Sequence, residues 1–438
     1  MNSSIHCRVE QDNKKIIRNQ IFDSDMRILL VFSLISLVCM LIPYHYILKS
    51  IYQVTLIAIL IFAAMKRPSL VLPLFMVMST GPIRIYMSIF SQQINFICFD
   101  NMIFIIAALI ATSIIRLFIV KRIRIKQILP VILVCFIMGL SYFYTDASTR
   151  SLYYKESFFV MLISYAVVPV FINSKNDFNT LLKGFFICLI QAALFLTISF
   201  VMNNIQINST EAMDRNYSSF YYVLLIVSSF VFILSNKPNK ILFLITLGCS
   251  GIVLVVLFML VSRSAFLILI AAMLVILMLK MKKIKHFLLV LILVTGIFTL
   301  ISYSGIAQEL LNRFNEDEVG SANGRIDIAI KMLELFVNRP FGEKMFGTGH
   351  NSVFVWWNGV FYTPHNSYIG FLMHYGLFGI FMLLVVCASA VKKLLSIKNN
   401  RIYLGILTVL LMYCFVLEPH SKMEFIFMLI GLYSAKLN

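Results

Sequence analysis

The chain has 438 residues, of which 60% are hydrophobic and 13% charged, with a mean hydropathy of +0.91 and a formal net charge of +18. Such values exclude a soluble globular domain and indicate a chain built to lie in lipid. The basic excess is distributed as membrane topology requires, so no nucleic-acid partner is expected.

The first 26 residues are polar, and the first apolar run is full length, which argues against a cleavable signal peptide. Apolar runs able to cross ~30 Å of hydrocarbon then recur along the chain. They lie near 28–48, 51–65, 69–90, 102–120, 128–144, 157–173, 184–203, 219–234, 241–261, 265–279, 287–303, 366–391, 402–417 and 425–435. The second, tenth and last are short, and Gly81-Pro82 interrupts the third, so the expected bundle has about 11–14 transmembrane helices. The expected fold class is an all-α polytopic membrane protein. Its parts are a cytoplasmic tail (1–26), a transmembrane bundle (27–303), a long exterior loop (304–364) and C-terminal transmembrane helices (365–438).

Lysine and arginine cluster in alternate loops, as at Lys121, Arg122, Arg124 and Lys126, at Lys280, Lys282, Lys283 and Lys285, and at Lys392, Lys393, Lys398 and Arg401. With both termini inside, the cytoplasmic side carries roughly +20 and the exterior roughly −2, the asymmetry of the positive-inside rule. The eight cysteines lie in or near spans or in the N-terminal tail, with no CxxC or Cys/His spacing, so neither a disulfide nor a metal site is expected.

The long exterior loop has internal pattern. Ala307–Phe314 reads as a short helix, followed by the acidic, turn-rich NEDEVGSANG. From Arg325 a helical period resumes, with Ile326, Ile330, Leu333 and Val337 on one stripe; Ile328, Met332, Leu335 and Phe336 widen it. Asn323 is the expected cap and Pro340 the expected stop, and the apolar faces suggest a helix lying on the bundle or in the interface. Thr363-Pro364 then reads as the start of the next span, with Pro364 at the first helical position and His365 and Asn366 in the first turn. Free backbone N–H groups and the helix dipole favour an anion there.

Four arginines and one histidine stand out as candidates. Arg263 sits in SRSA between two spans, as either a functional charge or an interfacial snorkeller. Arg215, in MDRNYSS, has Glu211 and Asp214 nearby, so an ion pair competes with a binding role. Arg325 opens the loop helix, where positive charge opposes the dipole, and Arg84 follows the Gly81-Pro82 break. Together such guanidinium groups can hold a phosphate or diphosphate bidentately. His365 has the titration range of a general base, against the alternative of a histidine bonded to the helix start, while His350 and His374 are weaker candidates. Trp356, Trp357 and Tyr362 suit either sugar stacking or interfacial anchoring.

His365-Asn366, then SYIGFLMHY, then Gly376-Leu377-Phe378-Gly379 forms an HN pair followed by nine residues and GxxG. Preceded by GRIDIAIKMLELFVNRPFGEKMFGTG, and with DRN and SRSA upstream, this resembles the O-antigen polymerase and O-antigen ligase superfamily over about Asn203–Gly379. The resemblance implies a GT-C-like glycosyltransferase of the bacterial inner membrane, metal-independent and without a cofactor, with its site facing the periplasm. It implies undecaprenyl-diphosphate-linked oligosaccharide as donor and a chain-length regulator protein as a partner, besides the lipid bilayer itself. Carried onto this chain, it makes His365 the catalytic residue. Arg215, Arg263 and Arg325 become diphosphate contacts, with Arg84, Asn366 and Tyr362 as further substrate-binding candidates. The polymerase reading is favoured because GTG in the loop and PHNSY at the helix start look polymerase-like, and because Ile380-Phe381 replace the hydroxyl residues that ligases often carry there. The ligase and, further off, a polysaccharide transporter or flippase are the alternatives; two related halves, a mark of many transporters, are not apparent.

Overall fold

A computed structural model describes residues 23–41, 46–80, 82, 102–119, 125–144, 152–201, 215–235, 240–260, 262–280, 325–349, 355–357, 360–362, 364, 366–417 and 422–435. The expected spans recur as helices: α1 (Ser24–Leu41), α2 (Tyr46–Lys66), α3 (Val71–Phe75), α4 (Met102–Ile119), α5 (Ile125–Tyr144), α6 (Leu152–Phe171) and α7 (Lys175–Val201). After them come α8 (Arg215–Ser235), α9 (Lys240–Met259) and α10 (Arg263–Lys280). The exterior loop contributes α11 (Arg325–Val337), α12 (Phe341–Phe346) and a hairpin of β1 (Val355–Trp357) with β2 (Val360–Tyr362), and α13 (Ser367–Ser396), α14 (Leu404–Val416) and α15 (Met423–Ser434) close the chain. The expected span 287–303, the helix expected at Ala307–Phe314 and the expected cap Asn323 fall outside the described residues.

The fold is an all-α polytopic membrane protein. Five described helices are long and apolar enough to cross a membrane, and eight shorter apolar helical stretches accompany them. The outward faces are apolar, as at Val31, Leu34 and Val38 of α1, Val54 and Phe62 of α2, and Leu267 and Met278 of α10. In water such a belt would be an aggregation surface; in a bilayer it is the solvent-matched face. The centre belongs to α7 and α8, which pack on each other, and to α15, whose Phe425–Ile430 run is wholly buried. At 12 residues α15 spans only ~18 Å, too short for the hydrocarbon core, but enclosure by protein removes the need to match it.

The third expected span is not one regular helix. A 3₁₀ turn (Pro68–Leu70) leads into α3, which widens into a π-helix over Met76–Thr80 just before Gly81-Pro82. A π-helix leaves backbone carbonyls unmatched, and these are taken up inside the bundle: Tyr52 Oη donates to the Met78 carbonyl at 2.6 Å, and Gln191 Nε2 to the Val77 carbonyl at 3.3 Å.

The charged loops gather at one end. Lys175 at the start of α7, Lys240 at the start of α9, Lys280 at the end of α10 and Lys398 and Arg401 in the 3₁₀ helix Lys398–Tyr403 all belong there. Tyr403 at that end donates to Asn179 Oδ1 at 3.0 Å and packs edge-on against Phe178. The opposite end holds the features expected to carry chemistry.

Candidate functional site

Chain direction determines which helix ends meet. α14 leaves the basic end at Tyr403 and runs antiparallel to α10, with Gly405 pressed directly on Ile276 near the C-terminus of α10. At its far end Tyr413 packs edge-on against Phe220, five residues into α8, with ring centroids 5.0 Å apart. The N-termini of α8 and α10 therefore lie at the same end of the bundle as the C-terminus of α14. Those N-termini are Arg215 and Arg263.

The start of α13 is stitched to the same place. The Ser367 N–H donates to the Leu417 carbonyl at 2.9 Å, and Asn366 Nδ2 to the Phe415 carbonyl at 3.1 Å. Asn366 Oδ1 in turn accepts from the Tyr368 and Ile369 N–H groups at 2.9 and 3.2 Å, satisfying two of the helix's orphan donors. This corrects one expectation. Pro364 is not the first helical residue, and Asn366 is not inside the first turn; Asn366 is the N-cap in extended conformation, and the helix begins at Ser367. A short amide side chain that closes on its own helix start outcompetes the weaker preference of proline for N1. Lys422, in the loop before α15, adds a cation to this end: its Nζ stands 4.4 Å from the ring centroid of Tyr217, two residues beyond Arg215.

Arg325 opens a third helix, α11, so all three arginines are first residues of helices. That placement sets positive charge against the positive end of each dipole, which is favourable only when an anion sits between them. α11 packs on the first turns of α13 through Ile328 and Met332, which are buried with Met373. The stripe of Ile326, Ile330, Leu333 and Val337 is the exposed face. Both faces are apolar, so periodicity identifies the helix without selecting the face that meets protein. The exposed face carries a shallow hollow of about 330 Å³ lined by Ile330, Leu333, Glu334, Val337 and Asn338, none of them an expected site residue.

His365 and Arg84 lie outside the described residues, as do the side chains of Arg215, Arg263, Arg325 and Tyr362, whose backbone positions are described. Tyr362 pairs with Val355 in the β1–β2 hairpin, two residues before Pro364. The hairpin itself was not expected, although Asn358-Gly359 between its strands is a strong turn signal in the sequence.

The GxxG spacing has a backbone cause. α13 is 30 residues long, so straight it would reach ~45 Å. The return path from Lys398 to Val416, six residues of 3₁₀ and 13 of α-helix, covers only ~31 Å, yet its end bonds Ser367. Both lengths fit only if α13 is bent, and the bend is at Gly376, with φ 66° and ψ −167°. A side chain there would strike the Met345 carbonyl group, and one at Gly379 would strike Tyr375. The broken helix frees carbonyls, and the loop supplies their donors. Gly349 N–H donates to the His374 carbonyl at 3.0 Å, and Thr348 N–H reaches the Met373 carbonyl at 3.4 Å. Gly347 and Gly349 have φ of 79° and 100°, and Gly347 sits directly against the His374 carbonyl, so the GTG run is shaped to fit the break.

Arg339 is the residue that sequence reasoning missed. It lies two residues past α11, and its Nη1 donates to the Met373 carbonyl at 2.8 Å. Glu343 lies one helical turn on at 4.0 Å. Burial lowers the Arg339 pKa and the Glu343 carboxylate opposes that shift; a guanidinium remains charged throughout. A signal was present, an arginine beside a helix-ending proline with a glutamate four residues on, but its partner is a carbonyl 34 positions away.

Residues 248–384 match a protein-family model described as O-antigen ligase. The match supports the O-antigen ligase/polymerase superfamily, whose members are membrane glycosyltransferase-like enzymes. It takes in Arg263, Arg325, Tyr362, His365, Asn366 and the glycines of the α13 break, and leaves Arg215 and Arg84 outside. No curated protein matches the chain.

Proposed function

We propose that the chain is an O-antigen polymerase of the bacterial inner membrane, working on the periplasmic face. The donor is a glycan on undecaprenyl diphosphate, and the acceptor is a sugar hydroxyl of another lipid-linked repeat. The attacking oxygen forms a bond to the anomeric carbon from the face opposite the diphosphate, the C1–O bond to the diphosphate breaks, and the anomeric configuration inverts. His365 accepts the proton of the attacking hydroxyl. Arg215, Arg263 and Arg325 hold the diphosphate and stabilise it as it leaves, without a metal ion; Arg84, Asn366 and Tyr362 complete the substrate contacts. The observation that supports this reading is the shared end: the helices opened by Arg215 and Arg263 begin where Asn366 caps α13, opposite the basic end. By the positive-inside rule the basic end is cytoplasmic, which puts the arginine end outside.

The ligase is the second reading, favoured by the description of the matched family. The two share a donor and differ in acceptor, which for the ligase is the lipid A core. Deleting the gene and resolving the surface lipopolysaccharide on a gel separates them. The polymerase predicts lipid A core bearing a single repeat; complete loss of O-antigen from lipid A indicates the ligase.

A further inference from the structure

The break in α13 creates a joint between two bodies that both carry chemistry in the reading above. One is the exterior loop, with Arg325 at the head of α11. The other is the first half of α13, from its cap at Asn366 to Tyr375, directly following His365. A glycine break within a helix is a natural hinge, because it removes the continuous hydrogen-bond ladder that keeps a helix rigid. Here the joint is pinned four times from the loop: by Arg339 Nη1, the Thr348 N–H and the Thr348 hydroxyl on the Met373 carbonyl, and by the Gly349 N–H on the His374 carbonyl.

The pins are unequal. Both Thr348 contacts are long, at 3.4 Å, whereas the guanidinium bond is short and charge-assisted. Arg339 is also held from behind by Glu343, so its head group is braced between α12 and α13. The two bodies otherwise meet through the small buried cluster of Ile328, Met332 and Met373, with Ile369 and Phe336 at its edge, while the stacked rings of Phe346 and Phe378 join the loop to the second half of α13.

We propose that Arg339 is a positioning residue: its bond to the Met373 carbonyl locks the exterior loop to the first half of α13, fixing the donor-holding arginine of α11 relative to His365. The inference rests on the reading of the site as a glycan transferase, but the lock itself is a physical statement independent of substrate. Loss of the bond leaves the bundle and the half-helix in place, since Ser367 and Asn366 still bond α14, but loosens the exterior loop and its α11 against them, and a displacement near 1 Å at a reacting group costs about 100-fold in rate.

The test uses the full-length protein in nanodiscs, as wild type, Arg339→Gln and Arg339→Lys. Hydrogen exchange at the Thr348 and Gly349 amides reads the lock without any substrate, and glycan transfer from a lipid-linked donor gives kcat and KM separately. In Arg339→Gln, which cannot reproduce the charged donor, faster exchange at both amides is expected, with kcat lowered about 100-fold and donor KM little changed. Arg339→Lys, which keeps a charged donor, is expected to recover part of kcat. Wild-type exchange and wild-type kcat in folded Arg339→Gln would overturn the proposal, as would a raised KM with unchanged kcat, which would make Arg339 a direct donor contact. If the wild type transfers no glycan, the functional reading fails, and unchanged exchange in Arg339→Gln would still refute the lock on its own.

Discussion

At the scale of single residues, Gly376 decides the most. Its φ and ψ belong to a region open almost only to glycine, and a Cβ would strike the Met345 carbonyl group. Gly376→Ala is therefore expected to lose about 1–3 kcal/mol from backbone strain alone, with steric overlap adding to it. Gly342→Ala, in α12, meets nothing within 4 Å and serves as the control. Thermal unfolding in detergent checks the pair: a clear drop is expected for Gly376→Ala and little change for Gly342→Ala. Both glycines are equally visible in the sequence. What separates them is the backbone that crosses Gly376 from a loop 31 positions earlier, a contact that local pattern cannot express. The HN-x9-GxxG spacing was legible as a motif; its physical content, a capped half-helix ending at a forced break, was not. Arg339 stayed hidden for the same reason.

At the scale of elements, the spans were legible because lipid imposes one requirement, a long apolar run, on each of them. Observed bounds such as Met102–Ile119 and Arg215–Ser235 lie within a few residues of expectation. The loop helix α11 shows where that legibility stops. Its period is legible, but with apolar residues on both sides the sequence does not select the buried one: Ile328 and Met332 face protein while Ile330 and Leu333 face outward. The two faces respond differently to truncation. Met332→Ala removes a fully buried side chain and is expected to weaken the α11–α13 contact by about 2–5 kcal/mol. Ile330→Ala, on the exposed face, is expected to cost far less. Limited proteolysis between 325 and 349 reports the difference, with faster cleavage expected for Met332→Ala alone. Equal cleavage of both variants would mean that α11 is held by its other face.

At the scale of the whole molecule, charge and topology act together. Basic residues mark one end of the bundle, and at the other end Arg215 and Arg263 open parallel helices beside the capped start of α13. Positive charges at the positive ends of helix dipoles are retained at a cost unless an anion completes them, and a lipid-linked diphosphate is an anion delivered at that depth. The proposed orientation rests on composition and charge placement alone, whereas the meeting of the helix ends required the path of α14 between them. The central claim is that this end transfers a glycan with His365 taking the proton. The most direct measurement is chain extension by purified protein in proteoliposomes supplied with an undecaprenyl-diphosphate-linked oligosaccharide, comparing wild type with His365→Ala at equal incorporation. A ladder of extended glycans with the wild type, and none with His365→Ala, is the expected result; a wild-type ladder from His365→Ala would contradict it.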